Sequence, residues 1–243
     1  MSTLSSSLTF TVSGVSFSLR LVSHGTFLMS ADPSTDREAY KYEGPVHAVT
    51  ISRDYYLAET PVTQALYMAV MGNNPSYFKG DTSRPVECVS WNDCQEFIEK
   101  LNSIITDGTF SLPTEAEWEF AARGGNLSKG YKYSGSDVIK EVAWYNRNSD
   151  GKTHPVAQND SNELGLYDMT GNVWEWCQDW YADYPSSPVT DPLGPASGFS
   201  RVLRGGCYCA LPRGCRLSFR CGDHPDYLDN LNGFRLLFRP KNS

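Results

Sequence analysis

Helix-compatible sequence occurs in only three short runs, two of them closed at both ends. The sharpest covers residues 114–123, TEAEWEFAAR. It follows Pro113, sets Thr114 three residues ahead of Glu117 in a capping-box pattern, and stops at Gly124-Gly125. Residues 63–71 have Thr63 as N-cap and Gly72 as stop, and residues 92–102 place Cys94, Phe97, Ile98 and Leu101 on one face. Helices this short cannot make a bundle. They must pack on sheet, and strand-like alternation runs over residues 8–21 and 46–57. Residues 126–158 are polar and loop-like, and the Pro/Ser/Gly-rich stretch after Tyr181 reads as a long surface loop. The pattern is α+β, with helices early and irregular strands and loops late.

A chain of 243 residues fits one domain, 1–243, with residues 1–21 as an N-terminal strand extension. It can bury roughly 70–75% of its unfolded surface, so it needs neither metal nor disulfide to fold. A net charge of −7 argues against nucleic acid or an anionic membrane as partner, since counterion release needs a basic face. No apolar run reaches transmembrane length, and the N-terminus alternates where a signal peptide would carry an unbroken apolar core. The expectation is synthesis in the cytoplasm, without direct membrane insertion, and display on a phage particle or by a non-classical route. Seven cysteines without a secretory signal read as thiols, no C-x-x-C occurs, and His24, His47, His154 and His224 are too scattered for a zinc site.

Several segments taken in order carry a resemblance. They are Gly44-Pro45-Val46-His47, Glu59-Thr60-Pro61-Val62-Thr63, and Arg84-Pro85-Val86 with Val89-Ser90-Trp91-Asn92. Leu112-Pro113-Thr114-Glu115-Ala116-Glu117-Trp118-Glu119 and Ala121-Ala122-Arg123-Gly124-Gly125 follow. Then come residues 165–176, GLYDMTGNVWEW, Arg201-Val202-Leu203-Arg204-Gly205-Gly206 and Gly233-Phe234-Arg235-Leu236. Over residues 22–238 the chain resembles the formylglycine-generating-enzyme/sulfatase-modifying-factor family. The resemblance implies a C-type-lectin-like fold with small antiparallel sheets, two main helices and extensive ordered loops. Trp118, Trp174, Trp176 and Trp180 can stabilise such a loop-rich domain by burial, and Gly171, Gly205 and Gly206 suit tight turns or close backbone approach.

The resemblance also implies two chemistries to look for. Formylglycine-generating enzymes oxidise a substrate cysteine with a cysteine pair and copper. The second position of that pair falls on Cys215, but the first falls on Ala210, which has no thiol. Cys209 stands one residue away, and in a strand that shift turns a side chain to the other face. The family's calcium site maps onto Asp168 and Glu175, with the carbonyls of Gly171 and Val173; the same two carboxylates could instead cap backbone donors in a turn. No cofactor is required for the reading that follows.

Residues 207–232, CYCALPRGCRLSFRCGDHPDYLDNLN, lie between these orderly flanks and hold four of the seven cysteines. They mix Phe, Tyr, Leu, Asp, His and Arg without period and contain no Lys, Glu, Gln, Met or Trp. A branch of the same fold serves as the variable protein of diversity-generating retroelements, in which template adenines are replaced at random during reverse transcription. The favoured template codon, AAC, then yields codons ending in C, which encode neither stop nor any of those five residues. AAC accounts for Cys209, Cys221, Phe219, Leu211 and Leu228, and AGC for Cys207. Cys215, Arg216, Ser218, Arg220, Pro225 and Asp226 look like fixed positions between variable ones.

The expected function is binding without turnover, through Cys207, Tyr208, Cys209, Leu211, Arg213, Phe219, Cys221, Asp223, His224, Tyr227, Leu228, Asp229 and Leu231. Tyr208, Phe219 and Tyr227 would be anchors and Arg213, Asp223, His224 and Asp229 would set polarity. The partner would be a protein or glycan on a cell or phage surface. A cysteine oxidase and a purely structural domain of this fold stand as alternatives.

Overall fold

The structure is a computed structural model describing residues 4–241. The chain opens with β1 (Ser7–Val12) and β2 (Val15–Val22), followed by β3 (Gly25–Met29), β4 (His47–Ile51) and β5 (Tyr55–Ala58). Helices α1 (Gln64–Met71) and α2 (Trp91–Ile104), strand β6 (Gly108–Ser111), helix α3 (Glu115–Ala122) and the single turn α4 (Ile139–Val142) come next. The last half carries β7 (Trp174–Trp180), β8 (Val189–Thr190), β9 (Arg201–Arg204), β10 (Arg220–Asp223), β11 (Asn232–Phe234) and β12 (Leu237–Pro240).

Three small sheets result. One runs β1-β2-β5-β12-β6 and is antiparallel throughout. A second runs β10-β9-β7-β11, with only β11 parallel to its neighbour, and a third runs β3-β4-β8. Among the described residues no helix is long and apolar enough to cross a membrane.

The three expected helices form, α1 and α3 where their caps predict and α2 beyond its expected 92–102 at both ends, with Ser90 as its N-cap. Thr63 Oγ1 accepts from Leu66 N and Gly72 closes α1 at φ +84°. Thr114 and Glu117 exchange the two hydrogen bonds of the capping box at α3. On α2, Cys94, Phe97, Ile98 and Leu101 are all buried, as their spacing requires. The N-terminal alternation is a hairpin, β1 with β2, where the sequence suggests one strand. Ser13 and Gly14 turn it with φ of +48° and +83°, both positive as a two-residue turn between right-twisted strands demands.

Two cores flank the sheets. Leu66, Phe97, Leu101, Phe110, Trp176 and Phe234 belong to one; Ile51, Leu57, Trp118, Phe120 and Leu237 belong to the other. Adjacent residues of β9 serve both, Val202 one and Leu203 the other, through the two-residue strand period. Of the four expected core tryptophans only Trp118 and Trp176 are fully buried. Trp174 and Trp180 are half-buried, and Trp180 stacks on the Arg201 guanidinium 3.6 Å from its ring centre.

Candidate ligand-binding surface

Residues 207–232 are held from beneath by buried ion pairs. Arg204, Arg216, Arg220 and Arg235 are at most 2% exposed. Arg216 meets both oxygens of Glu43, at 2.9 and 2.5 Å, and Ser218 Oγ donates to the same carboxylate at 2.9 Å. Arg220 forks onto Glu115 at 2.8 and 2.7 Å, while Arg204 reaches Glu115 and Glu119. Arg235 pairs with Glu175 and donates to the carbonyls of Ala58 and Tyr167. A bidentate guanidinium–carboxylate pair fixes orientation as well as distance. The positions read as fixed, Arg216, Ser218 and Arg220, are therefore the segment's internal anchors.

The segment enters through Gly205 and Gly206, with φ of +93° and +83°. A Cβ on Gly206 would lie 2.7 Å from Cys215 Sγ, so only glycine permits this approach. The chain then dives inward. Tyr208 N donates to Asn172 O at 2.9 Å and Ser149 Oγ donates to Tyr208 O at 2.7 Å. Cys207 and Tyr208 are consequently buried, at 1% and 6% exposure, and Tyr208 packs edge-on against Phe78. Expected as ligand contacts, these two are instead part of the packing beneath the surface.

The remaining candidates reach the surface to different degrees. Cys209, Leu211, His224, Tyr227 and Leu228 are exposed, with Leu211 at 64% and Leu228 at 56%. Arg213, Phe219, Cys221, Asp223, Asp229 and Leu231 are half-buried. Asp229 is a turn-maker, its Oδ1 accepting from Leu231 N and Asn232 N. Asp223 is raised above the usual carboxylate range, first by burial and then by the charge of Asp229. His224 rests against the exposed ring of Phe199. Asn92, at the start of α2, ties the loop down by donating to Asp226 and to Pro225 O through its amide groups.

Phe219 and Arg213 come together with residues from outside the segment. Phe219 lies edge-on to Tyr40 and Tyr42, with centroids at 5.8 and 6.2 Å, and 5.8 Å from Trp174. The Arg213 guanidinium sits 3.5 Å from the Tyr40 ring centre and its Nε donates to Glu38 O. Tyr42 is 40% exposed; Tyr77, 69% exposed, lies elsewhere, edge-on to the Phe78 ring that packs against Tyr208. Sequence reasoning on the segment alone misses these aromatics. Their signal was present, as Tyr-Lys-Tyr at 40–42 and Tyr-Phe at 77–78 within polar stretches.

Neither implied cofactor fits the residues. Ala210 leaves the copper pair one thiol short, and Cys215 is 1% exposed with its thiol pushed up to about 12 by burial. Cys207 and Cys209 sit in a turn, not a strand, with their sulfurs 3.3 Å apart. The hydrogen bond from Cys207 lowers Cys209 to about 7 and raises Cys207. At the implied calcium position, both Glu175 oxygens accept from Arg235, and Oε2 also accepts from Trp118 Nε1 at 2.7 Å. Asp168 accepts from Ala157 N and Asn172 Nδ2. These oxygens are held by N–H donors around a guanidinium, which suits a hydrogen-bonded turn and not a hard cation. A Cβ on Gly171 in the same turn would collide with the Trp144 carbonyl.

Comparison with known proteins places this architecture. Residues 17–240 match the family model of the sulfatase-modifying factor enzyme 1-like domain. The formylglycine-generating enzyme of Streptomyces coelicolor is 32% identical, covering 86% of this chain and 72% of its own length. The chaperone protein LppX of Paenibacillus barcinonensis is 36% identical, covering 72% and 75%. The solved structure of Treponema denticola variable protein 1 superposes with a TM-score of 0.87 at 34% identity, covering 98% of this chain and all of that one. The α+β, C-type-lectin-like fold expected from the motifs is the fold shared with these neighbours. The chain belongs to the formylglycine-generating-enzyme/sulfatase-modifying-factor family.

Proposed function

We propose that the chain is a ligand-binding protein whose residues 207–232 form a hypervariable surface, as in the variable protein of a diversity-generating retroelement. One observation carries the reading: the segment divides sharply by role. Arg216, Ser218 and Arg220 are buried in ion pairs and hydrogen bonds, while Leu211, Tyr227 and Leu228 stand 46–64% exposed on the same backbone. Large apolar groups left in water on an anchored scaffold mark a contact surface. Similarity to a protein called a variable protein over nearly the whole chain supports the same reading.

The working surface is Cys209, Leu211, Arg213, Phe219, Cys221, Asp223, His224, Tyr227 and Leu228, framed by Tyr40 and Tyr42. Its partner is a protein or glycan. Because the ion pairs fix the backbone before binding, little ordering entropy is lost on recognition. Replacing a surface side chain changes specificity without moving its neighbours, and an aromatic anchor can contribute about 2 kcal/mol or more when desolvated.

Sequencing the locus across isolates tests the proposal. Changes confined to AAC-type codons at the exposed positions are expected, with a near-identical repeat and a reverse transcriptase nearby. A segment that is invariant, with no repeat, would end it. The relatives named formylglycine-generating enzyme keep a second reading open. Copper-loaded protein is expected to leave a Cys-x-Pro-x-Arg peptide unconverted; formation of formylglycine would reinstate the oxidase.

A further inference from the structure

A cleft of about 490 Å³ opens beneath the loop that follows β7. Its apolar walls come from Met29, Ala116, Val189 and Leu193. Glu115 and Arg220 also line it, but they neutralise one another through their forked ion pair. Two other polar side chains line the same cleft with an acceptor to spare. Asp179 is 5% exposed, and its Oδ2 accepts from Glu115 N at 2.8 Å. Among the described residues no donor reaches its Oδ1. His47 is also 5% exposed, and its Nδ1 lies 3.1 Å from Pro45 O, a contact made by the protonated nitrogen. Nε2 is then an acceptor, again without a donor among the described residues. Both acceptors belong to side chains that line the cleft, so a ligand that supplies donors can pair with them there.

We propose that this cleft binds a small amphiphilic amine, its ammonium donating to Asp179 Oδ1 and His47 Nε2 and its apolar body lying along Met29, Ala116, Val189 and Leu193. Charge selects the class. With Glu115 and Arg220 paired, the other carboxyl groups lining the cleft are Asp179 and the rim residue Asp183, so above pH 7, where Asp179 ionises, the walls favour a cation over a carboxylate or phosphate. An ammonium brings three donors and a positive charge on a compact head, whereas a neutral alcohol brings one donor and none of the charge. Burial, and then the charge of Glu115, raises the Asp179 carboxyl to about 7, and an ammonium beside it would favour its ionised form. The site is independent of the hypervariable reading, since Arg220 is an anchor whose neighbours can change freely.

Calorimetric titration of the full chain with phenethylamine, and with phenylacetate and phenethyl alcohol as charge controls, tests this. Saturable binding of the amine, weaker binding of the alcohol and none of the acid are expected. Asp179→Asn is expected to weaken the amine about tenfold, the loss of one charge-assisted bond. Ala182→Trp, which fills the cleft and leaves Asp179 intact, is expected to abolish binding, and it keeps the test open if the first variant does not fold. Equal affinity for phenylacetate, unchanged amine affinity in either variant, or no saturation up to about 10 mM, weak even for a fragment-sized probe, would overturn the proposal.

Discussion

Arg220 and Cys221 are neighbours on β10, yet they belong to different regions of the molecule. Arg220 is 2% exposed and doubly bonded to Glu115; Cys221 is half-buried, with a backbone register but no ion pair. The same contrast runs through the segment, between the frame of Arg204, Arg216, Arg220 and Arg235 and the rim of Leu211, Tyr227 and Leu228. It teaches that position and identity are separable here. The frame fixes where the backbone goes, and on the proposed function the rim decides only what is displayed there.

The contrast is broken most severely by removing a frame carboxylate. Glu43→Ala leaves the buried Arg216 with only its longer contacts to the exposed carboxylates of Asp36 and Glu38, at 3.4 and 3.9 Å, and removes the acceptor for Ser218 Oγ and Tyr40 N. A fully orphaned buried charge costs about 3–5 kcal/mol, so with Asp36 and Glu38 still near, a loss of about 2–4 kcal/mol is expected, out of about 5–15 kcal/mol for a whole domain. Urea denaturation is expected to show that loss. The double variant Glu43→Ala/Arg216→Met should recover part of it, because an apolar pair asks for no compensation. A single variant as stable as the parent would mean that the pair does not anchor the segment.

A smaller effect separates frame carboxylates from one another. Burial raises Asp168 from an ordinary 3.8 to about 6. Its folded form therefore binds more protons than its unfolded form between those values, and its contribution makes stability fall as pH rises through that window, then level off. At neutral pH the shift is worth roughly 3 kcal/mol, and Asp168→Asn also loses the Asn172 hydrogen bond, about 1 kcal/mol. The variant is expected to be more stable than the parent at pH 8, by about 2 kcal/mol, and less stable at pH 4, with calcium changing neither melting temperature. A calcium-dependent rise in the parent alone would show that the turn takes a cation after all.

What was legible in the sequence follows the range of the interactions. Caps at Thr63 and Thr114 are written within three residues and were readable; the Ser90 capping box is equally local but was passed over, and the tight Ser13-Gly14 turn hid inside an alternating run. The Glu43–Arg216 pair joins residues 173 apart, and no local pattern announces it. The burial of Cys207 and Tyr208 was equally hidden, since it depends on Asn172 and Ser149 receiving the chain after the Gly-Gly turn. The exposed part of the segment was legible because composition alone marked it.

Chemistry at the rim can sharpen the contrast among cysteines. Cys209 is exposed and lowered to about 7 by its hydrogen bond from Cys207, whereas burial pushes Cys215 and Cys221 to about 12. The thiolate is the nucleophile, so iodoacetamide at pH 7 is expected to label Cys209 at least about tenfold faster than the others. Peptide mapping of a brief labelling reads this directly. Comparable labelling of Cys215 would mean that the Gly206 turn opens in solution.

The smallest expected effect is the most telling for function. Leu211→Ala and Leu228→Ala remove groups already 64% and 56% in water, so each should change stability by no more than about 0.5 kcal/mol. Tyr227→Ser should behave likewise, since its ring has no aromatic partner among the described residues and its backbone N–H bond to His224 O survives. Phe219→Ala should cost more, because its ring packs against Tyr40, Tyr42 and Trp174. That ordering distinguishes a displayed residue from one that displays and packs at once. If Leu211→Ala and Leu228→Ala proved as damaging as Phe219→Ala, the rim would be part of the core, and a surface that must change from copy to copy could not be built from it.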